Sequence, residues 1–251
     1  MNEDLTANDA LLDKVEDIRR YPTVSWLIAA HICNDHLKDA LASCLAQTFK
    51  DFECVVVTNG AQADEIANQI KIWFGHDSRV RVISTKVRHL NFSLSLGLHS
   101  ARAQLIARMD ADDIALPDRL EKQVDYMRKH PSVAVLGTQY QIIDDEGSVV
   151  SEIRLPTDDR TIRARLFKGN PFCHPSVMLR RDIALEAGGY IGGLHAEDYD
   201  LWARLAQHKG LEFVNLPGTH LRYRNAGVGS ARGARLAYAS MAASQYRNFV
   251  A

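Results

Sequence analysis

Between residues 23 and 139 the chain changes its period repeatedly. Short apolar runs, TVSWLIAA (23–30), FECVVVT (52–58), RVRVIST (79–85), QLIARMD (104–110) and SVAVLGTQ (132–139), alternate with stretches of helical spacing. That spacing predicts helices over 35–47, 62–74, 93–103 and 117–129, the last opened by Pro117. Strands separated by helices of ten or more residues leave one economical solution. It is an α/β fold whose mainly parallel central sheet is flanked by helices on both faces.

The alternation stops after residue 138. YQIIDDEGSVVSEIRLP reads as a hairpin turning at Asp145-Glu146-Gly147. A helix over 158–167, a loop with Pro171 and Pro175, the strand SVMLR (176–180) and a glycine-rich loop over 188–193 follow. Then come a helix over 197–208, two short strands within 211–224 and a C-terminal helix over 231–251. Leu5, Leu11, Leu12, Val15 and Ile18 space an amphipathic leader helix over 1–21, suited to packing on the domain or on a partner. With no repeat and no low-complexity linker, the reading is a single domain. Its halves are 22–138 and a mixed 139–230.

Charge narrows the partners. A formal net charge of -1 without a basic stripe excludes the usual nucleic-acid footprint. Lys and Arg are dense only over 154–168 and 222–235, where local anionic ligands are accommodated. Cys33, Cys44, Cys54 and Cys173 have neither metal-type nor disulfide-type spacing; three sit in apolar runs as buried thiols. The acidic start MNEDLTANDALLDKVEDIRR is unlike a signal peptide, and no apolar run is long enough to span a bilayer. The expectation is a soluble cytoplasmic protein, any membrane association being peripheral, on the inner face. The basic 222–235 stretch or the C-terminal helix would carry it, and that helix is equally suited to a homodimer contact.

Within LIARMDADDIALPDRL the apolar strand ends on Asp110, Asp112 and Asp113. Two carboxylates about 4 Å apart repel by roughly 4 kcal/mol at an effective dielectric near 20. A hard divalent cation relieves this, prefers oxygen ligands and keeps positions open for a substrate diphosphate. In open parallel sheets, ligands bind beyond the carboxyl ends of strands, which is where these residues fall. The alternative is helix capping, to which Asp113 and Asp118 are suited. Capping accounts for one carboxylate, not three.

A second acidic group, Glu197-Asp198, opens a helix after Gly188, Gly189, Gly192 and Gly193. The glycines give a loop freedom to move as a substrate lid. Beside a cation site, a carboxylate here suits a general base whose basicity rises on desolvation. A cation that takes charge off a leaving diphosphate and a base that deprotonates a hydroxyl together describe group transfer.

Several segments, in order, resemble the family 2 glycosyltransferases of the GT-A fold. ALASCLAQTFKDFECVVVTNG resembles that family's first helix, with its Gln-Thr ending, and second strand; ARMDADDIALPDRLEKQ is similar to its metal-binding segment. FCHPSVMLRRDIALEAGGY and AEDYDLWARLA resemble acceptor-side segments of bacterial members that make surface polysaccharides. The likeness covers about 23–225. It implies a nucleotide-sugar-binding half (22–138), an acceptor-binding half (139–230) and inverting transfer from a nucleotide-diphosphate sugar, UDP-linked first, to a hydroxyl of a glycan or lipid-linked glycan. Asp112, with Asp110, would hold Mn²⁺ or Mg²⁺. Ala30, His31, Thr58, Asn59, Arg88, Asp110 and Ala111 would line the nucleotide-sugar site. Asp198 would be the base, supported by Glu197, with His174, His195 and Trp202 toward the acceptor.

The chain departs from the family at Ala29 and His31, where Pro and Tyr are usual, and at Leu94-Ser95, where Arg-Asn is common. Thr58-Asn59 replaces an acidic pair that contacts the base or ribose; both residues hydrogen-bond but carry no charge. Arg88 or Arg108 would then supply a phosphate contact. The uncharged pair also keeps open a non-catalytic module that binds a sugar nucleotide or a partner. His174 and His220 are candidate metal ligands or ordinary hydrogen-bonded histidines; Arg222 and Arg224 are phosphate holders or a solvated edge; Trp202 is core packing before sugar stacking. A phosphatase of the haloacid dehalogenase type would need Thr or Ser at Ile114, and a nucleotidyltransferase a glycine-rich loop where AAHICNDH stands.

Overall fold

The computed structural model describes residues 21–192, 195–224 and 231–250. The leader helix expected over 1–21 lies outside them except for Tyr21. The first half follows the alternation: β1 (Val24–Ala30), α1 (Asp35–Leu45), β2 (Phe52–Asn59), α2 (Ala63–Phe74), β3 (Val80–Thr85), α3 (Leu90–Ser100) and β4 (Leu105–Met109). Pairing β3-β2-β1-β4 is parallel throughout. Val24, Trp26 and Ile28 face α1 and α2, whereas Leu27 packs with Leu94 and Leu98 of α3, so both faces are covered.

The second half extends the same sheet. After β5 (Ile114–Ala115) and α4 (Arg119–Lys129), β6 (Val133–Ile143) does not lie beside β4. Between them comes β8 (Met178–Arg180), antiparallel to both. β7 (Val149–Ile153) closes the hairpin with β6. Around these run α5 (Asp159–Leu166), α6 (Arg181–Glu186), α7 (Glu197–Leu205), β9 (Glu212–Arg224) and α8 (Ala231–Gln245), which ends in a π-helical turn (Tyr246–Val250).

The largest departures from the sequence reading fall at α3, β5, α6 and β9. α3 starts and ends three residues earlier than expected, because exposed Leu90 and Phe92 blur its apolar face. β5 and α6 are too short to register as a period. The two strands expected over 211–224 are one, β9, which passes Pro217 where its parallel register with β6 slips. A bulge tolerates the missing proline N–H.

Buried polar side chains fix the loop carrying the acidic residues. Gln47, fully buried, donates from Nε2 to Leu116 O at 3.0 Å and accepts at Oε1 from Leu120 N at 3.0 Å. Thr48 N donates to Pro117 O. Beneath them Arg119 stacks 4.8 Å over Trp26 and donates from Nη2 to Arg108 O at 2.8 Å. Burial lowers its pKa to about 10, which leaves it charged. Gln123 ties the same helix to Leu136 O and Ser176 O. The Gln-Thr ending therefore clamps the acidic corner. Gln47→Ala takes the partner from the Leu120 amide and one of two donors from Leu116 O, and is expected to cost about 1–3 kcal/mol, read as a lower urea midpoint with unchanged slope.

Candidate active site

β1, β2 and β4 end side by side at one edge of the sheet, and a cleft of about 370 Å³ opens there. Ala29, His31, Asn59, Arg88 and the run Asp110-Ala111-Asp112 line it. Asn59 Nδ2 donates to Ala30 O at 3.2 Å. Its Oδ1 is left as an acceptor. Ala30 itself is buried and contributes that carbonyl. Thr58 lies outside the lining: fully buried, its hydroxyl turns to Ser84 Oγ at 3.1 Å. Residue 58 therefore supports the strand pair and does not face the cleft. Arg88 is exposed, packs over Gly60 (φ +92°) and makes no hydrogen bond or ion pair among the described residues. Burial, then Arg88, lowers the pKa of His31 and keeps the imidazole neutral.

Asp110, Asp112 and Asp113 each offer an oxygen within 4.8 Å of the others. Neither residue expected to cap α4 does so. Asp113 Oδ1 instead accepts from Arg224 N at 2.8 Å, and Asp118 meets His220 Nδ1 at 3.0 Å. Asp113 Oδ2 is buried without a partner, in a residue that is 0% exposed. Burial and then the Asp110 charge raise the pKa of Asp113 well above the carboxylate range, and that of Asp112 also rises. An orphaned buried oxygen beside two further carboxylates fits a hard cation. Arg224, a candidate phosphate holder, is committed elsewhere: Nε reaches Asp112 O and Nη1 reaches Asp144 O and Asp145 O. It clasps the acidic loop.

The second cluster is His174, Glu197 and Asp198, again within 4.8 Å of one another. Asp198 is 8% exposed, and its oxygens are engaged: Oδ2 accepts from Asn170 Nδ2 at 2.5 Å, Oδ1 from Tyr199 N at 2.7 Å. Burial raises the pKa of Asp198 against these bonds. Burial and the charge of Asp198 push Glu197 up to about 7. His174 bonds Tyr190 Oη at 3.0 Å, and burial followed by Arg108 lowers its pKa well below the ordinary value. With Asp198 and His174 already bonded and no orphaned buried oxygen like Asp113 Oδ2, this group is the poorer cation site.

Arg108 stands between the clusters. Its side chain is 3% exposed, and Nη1 lies 2.5 Å from Asp110 Oδ1, an ionic contact off the N–H directions that leaves Nε and Nη1 without a hydrogen bond. Burial opposes its charge, but Asp110 and Glu197 outweigh that and raise its pKa. In turn Arg108 lowers the pKa of Glu197, which the Asp110 charge raises. The two acidic groups therefore sense each other across one cation.

Trp202 is 0% exposed and edge-on to Phe172 and His174, so of its two expected roles it takes core packing and does not face the acceptor. The glycine loop is tethered: Asn91 Nδ2 bonds Gly192 O, Ser95 Oγ bonds Tyr190 O, and Arg204 Nη2 bonds Gly189 O. Gly193 lies outside the described residues. His195 is exposed with φ 60°, at the mouth of α7. The sequence did not point to Asn170. A polar residue between Gly169 and Pro171 was its only mark.

Residues 25–189 match the family described as Glycosyl transferase family 2. The chain is 33% identical over 234 residues to the O-antigen biosynthesis glycosyltransferase WbnJ of Escherichia coli, covering 93% of this chain and 91% of that protein. It is 34% identical over 190 residues to the amylovoran biosynthesis glycosyltransferase AmsE of Erwinia amylovora, covering 76% and 71%. Among solved structures, S. aureus TarS 1-349 in complex with UDP-GlcNAc aligns with a TM-score of 0.67 at 14% identity, over 91% of this chain and 68% of that one. Mannosyltransferase PcManGT from Pyrobaculum calidifontis, in complex with GDP-Man and Mn²⁺, aligns at 0.68 and 15%, over 93% and 66%. At such identities the structures establish the fold alone.

If the three aspartates form the cation site, saturating Mn²⁺ raises the melting temperature by about 2–4 °C, the shift that 1 kcal/mol gives a chain of this size. Asp112→Asn and Asp113→Asn lose most of that rise. An undiminished rise in both would remove the cation from this corner.

Proposed function

This chain belongs to glycosyl transferase family 2, and we propose that it transfers a sugar, with inversion, from a nucleotide-diphosphate sugar to a hydroxyl of a glycan or lipid-linked glycan in bacterial polysaccharide synthesis. The observation that carries this is a buried Arg108 that contacts Asp110, of the acidic cluster at the cleft, and is coupled electrostatically to buried Glu197 and Asp198. The 22–138 half supplies the donor cleft and the 139–230 half the base. UDP is the first donor nucleotide to test.

Asn59 and Ala29 receive the nucleoside end, and Arg88, unengaged beside the acidic corner, meets the diphosphate. Asp112, with Asp110 and Asp113, would hold Mn²⁺ or Mg²⁺; when bound, the ion offsets the charge that develops on the leaving diphosphate. Asn170 and the Tyr199 amide aim Asp198, and its raised pKa strengthens it as a proton acceptor. The acceptor oxygen attacks the anomeric carbon opposite the leaving group as its proton moves to Asp198. Such an in-line displacement inverts the configuration. Glu197, half protonated near pH 7, is placed to donate or accept beside the acceptor.

Asp198→Asn is expected to lower kcat by about 10²–10⁴-fold while donor affinity changes less than about twofold. A large loss of donor affinity instead would sink the base assignment. Nucleotide binding by the wild type with no turnover of any donor would favour a binding module. The charge of Asp198 needed for attack is lost as pH falls through its pKa, so kcat/KM declines on the acid side. The Glu197 ionisation adds an inflection near pH 7. Glu197→Gln removes the inflection and keeps the lower limb; an identical profile takes Glu197 out of the site.

A further inference from the structure

The C-terminal end of α5 and the end of α8 form one surface beside the acceptor side of the cleft. Gln245 Nε2 donates to Leu166 O at 3.1 Å, Phe249 lies 4.8 Å from Phe167 between ring centroids, and Tyr199 Oη bonds Leu166 O. Arg247 and Ser244 both bond the buried Asp200 of α7, which anchors α8. This packing leaves large apolar groups in solvent: Phe167 is 61% exposed, Tyr246 66% and Val250 73%. Tyr246 and Val250 stand one turn apart. Beside them Arg165 and Lys168 are exposed, and neither side chain makes a hydrogen bond or ion pair among the described residues.

Carboxylates are scarce in the chain segments that form this face. The 39 residues from Phe213 to Ala251 hold five arginines and no Asp or Glu, and no carboxylate occurs between Asp159 and Asp182. Exposed aromatics beside unneutralised cations suit neither the interior nor open water. A second copy of the chain is a poor cover, because a two-fold contact would set Arg165 and Lys168 against themselves. The position adds direction. Asn170, which holds Asp198, follows Lys168 by two residues.

We propose that this face rests on a bilayer surface bearing anionic phospholipid headgroups. Phe167, Tyr246 and Val250 enter the interface, and Arg165 and Lys168 meet the phosphates. The inference rests on the proposed function only in its purpose, which is to bring a lipid-borne acceptor to Asp198.

The test is co-sedimentation of the full chain with vesicles of phosphatidylcholine and phosphatidylglycerol at 3:1, against phosphatidylcholine alone. Binding to the anionic vesicles only is expected. It falls at least about tenfold in Arg165→Glu/Lys168→Glu and in Tyr246→Ser/Val250→Ser, while melting temperature and donor hydrolysis in solution stay unchanged. Absence of binding to either vesicle, equal binding by wild type and both variants, or a dimer in light scattering that these variants dissociate overturns it. Because sedimentation reads no turnover, a chain that binds vesicles yet transfers no sugar would contradict the proposed function alone.

Discussion

Arg108, on the last turn of apolar strand before the acidic run, puts one positive charge between carboxylates that would otherwise drive each other apart. Its guanidinium is 2.5 Å from Asp110 and is felt by Glu197, Asp198 and His174. At about 4 Å and an effective dielectric near 20, such a contact is worth roughly 4 kcal/mol, comparable with the repulsion it offsets. Without it, burial of Glu197 and Asp198 next to the strand that bears Asp110 would favour their neutral forms, and neutral carboxyls accept no proton. The separation of tasks follows. Beside Asp110 and Asp112, which line the cleft, Asp113 keeps an unsatisfied oxygen for a cation, whereas the oxygens of Asp198 are engaged by Asn170 and a backbone amide and are aimed at one job.

Much of the remaining sequence holds that arrangement still. Gln47, Arg119 and Gln123 carry no chemistry at the cleft, yet each spends every polar atom on the backbone or side chains near the acidic loop. Arg224 closes the loop from the other side, with three carbonyls on its guanidinium. Before α7, Gly189, Tyr190 and Gly192 are bonded through their carbonyls to α3 and Arg204. Rigid placement of this kind is what a displacement between two bound substrates requires.

The sequence carried the parallel half of the fold because its signal is local. Runs such as FECVVVT and the helices between them can be read in windows of ten residues. The insertion of β8 between β4 and β6, and the parallel pairing of β6 with β9, join residues far apart in the chain and leave no periodic mark. The same division holds at the site. Asp110, Asp112, Glu197 and Asp198 announce themselves as clustered carboxylates, and the resemblance of their segments gave them roles. Asn170, the orphaned oxygen of Asp113 and the bridging place of Arg108 depend on tertiary contacts. Thr58, expected at the nucleotide, and Trp202, for which sugar stacking stood second to core packing, show the reciprocal: spacing tells which helix or strand a side chain belongs to, not whether the core covers it.

The account hinges on which acidic group takes the cation. Crystals grown with UDP and Mn²⁺, measured at the manganese absorption edge, decide it directly. The predicted anomalous peak lies among Asp110, Asp112 and Asp113, against the nucleotide diphosphate. A peak instead among His174, Glu197 and Asp198 would occupy the base and contradict the account.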